Sequence, residues 1–177
     1  MDIVTKVKVL SKKTYKLSNK EIEAICLLKD THWKFGLKLQ LEWFKKNIKS
    51  FDIHNMLTVN KKLIGYTLLR KRKMKIKSIR YYLLFDTLII KKNFRNKKLS
   101  KLLMNFNNQI IKKNKKISFL MCSNKLIKFY KKNNWVKLSK NNFKVVDHKF
   151  NTNGMIFNNK RKYLKIDFYT NNLLFRN

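Results

Sequence analysis

The sequence predicts one mixed α/β (α+β) domain, and three observations carry that reading. Ser18-Asn19-Lys20-Glu21 has the Ser-x-x-Glu form of a capping box and announces a helix. Ile79 to Ile90 is apolar on both of its alternating faces, as a central strand covered on both sides must be. From Leu83 to Asn114 a strand, a basic loop and an amphipathic helix follow one another, and Ile117 to Met121 then gives a short buried strand. Strands and helices thus alternate in the second half, while the first half places its helices between strands.

Each element has its own signal. Ile3, Val4, Val7, Val9 and Leu10 suggest a first strand, and the capping box opens a helix through about Lys29. Leu37, Leu41, Phe44 and Ile48 share one helical face. Met56 to Val59 and Leu63 to Leu69 flank Asn60-Lys61-Lys62 as a hairpin, with Arg70 to Lys77 as its charged exit. Leu99, Leu103, Phe106 and Ile110 form one apolar stripe on a helix ending near Asn114, and Leu126, Ile127 and Tyr130 belong to another. Trp135 to Leu138, Phe143 to Val146 and Met155 to Phe157 supply closing strands.

Composition bounds the function classes. A chain of 177 residues with 44% hydrophobic and 13% aromatic residues can bury a real core and is no disordered basic tail. The net charge of +35 raises the question of a phosphate-rich partner. Yet the chain has no proline, three glycines and a single alanine, Ala24, the profile of a very AT-rich genome. Its lysines are scattered through every segment, so nucleic acid is a conceivable partner and not the favoured one. Cys26 and Cys122 lie far apart, as do His32, His54 and His148, and neither a disulfide framework nor a metal site is indicated. The longest apolar stretch, Tyr81 to Ile90, is broken by Asp86, and the chain begins without an apolar signal core. A cytoplasmic protein without a membrane span, monomeric or homodimeric, is expected.

The chemistry is expected where the strand delivers the chain into Leu88-Ile89-Ile90-Lys91-Lys92-Asn93-Phe94-Arg95-Asn96-Lys97-Lys98-Leu99-Ser100-Lys101. A helix opening after a basic loop aims unpaired N–H groups and a positive dipole end at one point, which suits a pyrophosphate. The segment Arg95-Asn96-Lys97-Lys98-Leu99-Ser100 resembles the Arg/Gln-x-x-Gly-x-Gly/Ala acyl-CoA loop of the GNAT superfamily, the GCN5-related N-acetyltransferases. Lys98 stands at the first glycine position and Ser100 at the second. Ser123-Asn124-Lys125-Leu126-Ile127-Lys128-Phe129-Tyr130-Lys131-Lys132-Asn133-Asn134-Trp135 resembles the family's Asn-x-x-Ala-x-x-Phe-Tyr-x-x-x-Gly-Phe segment, and Leu63-Ile64-Gly65-Tyr66 its glycine-bearing strand. The resemblance covers about residues 55–140.

That resemblance implies a single acyl-CoA N-acyltransferase domain over residues 1–177, with a central, mostly antiparallel sheet splayed at the cofactor and helices on both faces. Acetyl-CoA or another acyl-CoA would lie against Leu88, Ile89 and Ile90. Its pyrophosphate would meet Arg95, Asn96, Lys97, Lys98, Leu99, Ser100 and Lys101, and Ser123 would stand nearby. Tyr130 matches the position of a general acid for the leaving thiolate. Asp86, a lone carboxylate in a buried strand, is the candidate base or else a structural acid paired with one of the abundant lysines. His32, Trp33 and His54 fall in the elements that cover the acceptor in that family, with local packing as their other reading. Cys122 lacks a nearby His or carboxylate and reads as a buried thiol. From Trp135 onward, Asp147-His148 and Asn153-Gly154-Met155-Ile156-Phe157 are similar to the aminoglycoside 2'-N-acetyltransferase and nodulation-acyltransferase branch, which implies an amino-sugar or glycan amine as acceptor.

Overall fold

A computed structural model describes residues 6–95, 98–146, 153–159 and 165–170. In chain order its elements are β1 (Val7–Lys13), α1 (Asn19–Asp30), α2 (Leu37–Asn47), β2 (Ile53–Val59), β3 (Lys62–Lys75), β4 (Ile79–Ile90), α3 (Leu99–Lys113), β5 (Ser118–Cys122), α4 (Asn124–Lys132), β6 (Val136–Lys137), β7 (Phe143–Val145), β8 (Asn153–Phe157) and β9 (Ile166–Phe168). The strands follow the hydrogen-bonding order β1-β2-β3-β4-β5-β8-β6, and β9 pairs with both β3 and β7. Only β4 with β5 and β7 with β9 are parallel among the described pairings. The mixed, mostly antiparallel fold class expected from sequence is the one found. By its internal contacts the chain divides into two compact units, Met1–Leu69 with Thr87–Asn107 and Arg70–Asp86 with Asn108–Asn177.

In the first unit the local signals act as the sequence requires. Ser18 Oγ accepts from the Glu21 amide at 3.3 Å while Glu21 Oε2 accepts from the Ser18 amide at 2.9 Å, which completes the capping box of α1. The β2–β3 hairpin turns through Asn60 and Lys61, both left-handed at φ 48° and 65°, the backbone of a type I′ turn. Side-chain alternation then sorts the apolar residues onto two faces. Met56, Tyr66, Leu68 and Ile89 join Ile25, Leu28 and Phe44 of α1 and α2. Leu57, Ile64 and Ile90 join Leu103 and Leu99 of α3 on the opposite face. Helices therefore cover both sides of this part of the sheet. Gly65 sits where a Cβ would lie 2.7 Å from Ile90 Cδ1 and 3.1 Å from Leu57 Cδ2, so a side chain there would require both neighbours to shift.

In the second unit the outer half of β3 departs from the sequence reading. Arg70 to Lys77 is expected to be a charged exit; instead β3 continues to Lys75, with Arg70 and Arg72 buried on either side of the exposed Lys71. Period-two alternation persists there with arginine in the apolar slots, because polar groups meet both side chains: Arg70 Nη1 pairs with Asp86. Arg72 Nε donates to Thr170 O at 3.2 Å and its Nη1 to Lys71 O at 2.8 Å. The core packs Phe119 on Phe168 with ring centroids 3.9 Å apart, beside Met74, Tyr82, Leu84, Ile156 and Ile166. β9 carries two of these residues, a strand too short for the sequence to show. Ile3, Val4, Asp147 and His148 lie outside the described residues.

Candidate functional site

The first unit holds the end of β4, the basic loop and the start of α3. After Ile90 the chain makes a short 3₁₀ turn over Lys92–Phe94. Arg95 then folds back, donating from Nε to Ile90 O at 3.1 Å, while the rest of the residue stays exposed. Leu102 N donates to Lys98 O at 3.1 Å, which makes Lys98 the residue at which α3 begins. Helix geometry leaves the first-turn amides, those of Leu99, Ser100 and Lys101, without an intrahelical acceptor. Lys98 and Lys101 are exposed, Leu99 and Ser100 half-buried. Leu88 and Ile90 face α3, whereas Ile89 faces α1 and α2. Asn96 and Lys97 lie outside the described residues.

Lys98 adopts φ 56°. This is the left-handed region, which glycine enters freely and lysine at a cost, so the glycine position of the resembled loop keeps the backbone that glycine serves. Lys98 is exposed.

The second unit holds the start of β4, β5 and α4. The parallel ladder of β4 with β5 contains only Leu83↔Ser118 and Leu84↔Phe119. β5 continues pairing with β8 as far as Cys122↔Asn153, but Phe85 and Asp86 have no partner on β5. The two strands thus part company beyond Leu84. Backbone groups released in this way need another partner, and an extended ligand can supply one by strand addition.

Asp86 is half-buried, and its Oδ2 accepts from Nη1 of the fully buried Arg70 at 2.9 Å. Arg70 is the residue the sequence reading missed. Its only sequence signal was position, since it continues the alternation of Leu63 to Leu69 by a charged residue in a buried slot. Tyr130 on α4 is 7% exposed, with its ring edge-on to Phe85 at 6.1 Å and to Phe129 at 5.2 Å. Its hydroxyl has no hydrogen-bond partner among the described residues. Burial first, and then the neighbouring Cys122 thiol, push its pKa well above the ordinary tyrosine value. The group is a phenol, protonated and poised to give a hydrogen bond.

α4 ends in a Schellman motif that positions this ring. Trp135 N donates to Tyr130 O at 3.1 Å and Asn134 N to Lys131 O at 3.0 Å, with Asn134 left-handed at φ 65°. Asn134 occupies the glycine position of the resembled Phe-Tyr-x-x-x-Gly-Phe segment. Trp135 is thereby delivered against Phe85 and Phe157, and its Nε1 donates to Asn108 Oδ1 at 3.1 Å. Ser123 is the exposed N-cap of α4 and makes no side-chain cap bond.

The remaining candidates separate by burial. His32 is exposed and stands edge-on to the half-buried Trp33 at 4.8 Å. His54 is fully buried, flanked by Phe44 and Tyr66, with Nδ1 2.7 Å from Tyr66 Oη and Nε2 2.8 Å from Thr14 Oγ1. Burial, aided by Lys29, pulls its pKa down to about 4, so it is a neutral core histidine with no surface to offer a ligand. Cys122 is buried and its thiol is pushed up by burial, as a structural thiol would be. Among the described residues no group of His, Cys, Asp and Glu could hold a metal ion, and no helix is long and apolar enough to cross a membrane.

No protein-family model matches the sequence, and no curated protein matches it by sequence either. Solved structures do match it by shape. An acyl-CoA N-acyltransferase from Pseudomonas aeruginosa superposes with a TM-score of 0.63 at 15% identity, over 85% of this chain and 99% of that one. ElaA from Escherichia coli gives the same TM-score of 0.63, identity of 15% and coverages of 85% and 99%. The fold is the GNAT fold. The PaiA N-acetyltransferase of Thermoplasma acidophilum, solved with coenzyme A, matches at a TM-score of 0.53 and 18% identity, over 84% of this chain and 98% of that one. Within the GNAT fold, β4, the loop after it, α3 and α4 are the elements on which the sequence resemblance falls.

Proposed function

We propose that the chain transfers an acyl group from acyl-CoA to a primary amine. The observation that carries the reading is the end of the β4–β5 ladder at Leu84↔Phe119, which leaves strand edge free beside Asp86. Two features support it: the left-handed Lys98 opening α3, and the unpartnered hydroxyl of Tyr130. The residues fit acyl-CoA on those grounds. In the first unit the amides of Leu99, Ser100 and Lys101, with the exposed charges of Arg95, Lys98 and Lys101, would hold the pyrophosphate. In the second unit, released backbone of β4 would hold the pantetheine. Bound acyl-CoA supplies the acyl group already activated as a thioester.

Tyr130, kept protonated by its upward-shifted pKa, would give a hydrogen bond to the departing thiolate and pass it the proton as the sulfur leaves. Asp86 presents Oδ2 to Arg70 and its side chain is 22% exposed; its other oxygen would hold or orient an incoming amine. The proton of the attacking amine leaves to Asp86 or to water. Among amines, an amino sugar is the first class to test, on the strength of the C-terminal resemblance alone.

The test is ligand-linked stability followed by product analysis. At a hundred-fold excess over Kd, coenzyme A adds about 2.7 kcal/mol to a native state that alone binds it, which raises Tm by roughly 5–10 °C in a chain of this size. Mass spectrometry after incubation with acetyl-CoA and a panel of amino sugars, polyamines and peptides then identifies the acceptor. An unmoved Tm at millimolar coenzyme A would exclude the reading.

A further inference from the structure

The second unit contains an open cavity of about 720 Å³ that none of the roles above uses. It lies at the opposite end of β4 from the loop, where the strand begins. Arg80, Lys112, Lys115 and Lys116 line it, and Met74, Ile76 and Ile117 give it an apolar floor. All four cations are exposed. Lys115 is left-handed at φ 50° just beyond α3, and Asn158 Nδ2 donates to Lys116 O at 2.8 Å, which ties the turn carrying Lys115 and Lys116 to the end of β8. Tyr81 stands at the rim, 46% exposed, with Lys71 Nζ 4.7 Å from its ring centroid.

The charge around this cavity is one-sided. No acidic residue occurs between Asp86 and Asp147. Along the outer half of β3 the exposed positions are Lys71, Lys73 and Lys75, and the carboxylate nearest in register is Asp167, opposite Lys75. The four cations therefore face no counter-charge of their own among the lining residues.

We propose that this cavity binds a nucleotide unit, with its phosphate among Arg80, Lys112, Lys115 and Lys116 and its base against Met74, Ile76 and Ile117. A bare phosphate would leave the apolar floor wet, and a fatty acid carries one charge where the wall offers four. A base with its phosphate answers both, and the cavity's volume falls in the range of small-molecule sites. The unit is either a free nucleotide or one residue of a single strand, which lysines and an exposed tyrosine ring grip without reading sequence. This assignment is independent of acyl transfer.

Fluorescence anisotropy with a labelled twelve-nucleotide single strand of RNA tests it at two salt concentrations. Lys112→Glu with Lys116→Glu is compared with a control of equal charge change, Lys20→Glu with Lys38→Glu on α1 and α2; all four side chains are exposed, and both proteins should fold. Circular dichroism checks that they do. The cavity pair should weaken binding about tenfold or more, and the control no more than about twofold, since each lost phosphate contact is felt through counterion release. Displacement of the strand by AMP identifies the free nucleotide as the ligand; binding of the strand without such displacement identifies the polymer. Equal losses in the two variants would reduce the effect to the protein's overall field and overturn the site, as would no binding of either probe. An abasic strand that binds as well as the normal one would remove the base from the apolar floor.

Discussion

At the scale of single residues, Tyr130 and His54 show how burial decides what an ionisable group can do. Both are buried, but Tyr130 has an unpartnered hydroxyl, whereas both His54 nitrogens are engaged. Tyr130→Phe should therefore lower kcat by about a hundredfold while leaving coenzyme A affinity unchanged, a size typical of losing one proton donor. Steady-state kinetics beside a cofactor titration separates the two quantities; affinity that fell along with kcat would make Tyr130 a packing residue. For His54 the folded pKa of about 4 lies below the ordinary 6.5, so the unfolded chain binds more protons between those values. Its contribution is fully present above pH 6.5 and is lost as pH falls toward 4, to a total of about 3 kcal/mol. Urea denaturation at pH 7 and at pH 4.5 should show a larger drop for the wild type than for His54→Gln, whatever the variant's own stability. Equal drops would mean that His54 titrates freely.

At the scale of elements, the backbone keeps glycine conformations that the residues no longer advertise. Asn60, Lys61, Lys98, Lys115, Asn134 and Asn158 all have positive φ, while Gly36 is the glycine that does. A composition with three glycines has filled such turns with asparagine and lysine. This explains what was legible. The capping box, the stripe from Leu99 to Ile110 and the two-faced run Ile79 to Ile90 are side-chain patterns and could be read directly. Lys98 could be read only as a departure from a glycine pattern, because φ is not written in the identity of a lysine. The outer half of β3 was lost because Arg70 and Arg72 fill apolar slots, and the pairing of Asp86 with Arg70 because it joins residues 16 apart in sequence. Relief of the strain is measurable. Lys98→Gly should stabilise the protein by about 0.5–1 kcal/mol, more than Asn134→Gly, since asparagine tolerates the left-handed region better than lysine. Urea midpoints at constant m-value check the order, and destabilisation by Lys98→Gly would show that its side chain makes a contact worth more than the strain.

At the scale of the whole molecule, the charge is a standing cost to the folded state. With 44 lysines and arginines against 9 acids, at most nine cations can have a carboxylate of their own, and the rest repel one another at close quarters once the chain is compact. Unfolding lengthens those distances, so the repulsion favours the unfolded chain. Salt shortens the reach of each charge, from about 30 Å at 0.01 M to about 10 Å at 0.1 M, and so acts mostly on the many long-range repulsions and little on close pairs such as Arg70 with Asp86 at 2.9 Å. Tm should accordingly rise steadily between 10 and 300 mM sodium chloride. The ligand sites should respond in the opposite sense. Binding of an anion at Arg95, Lys98 and Lys101, or in the cavity beside Lys112 and Lys116, weakens as salt competes for the same cations. Differential scanning fluorimetry across that salt series, with and without coenzyme A, reads both effects in one experiment: the apo curve climbs and the liganded increment shrinks. A Tm that stayed flat in the apo protein would mean that the compact state has already spread its charge beyond a Debye length, and that the excess of lysine carries no cost to folding.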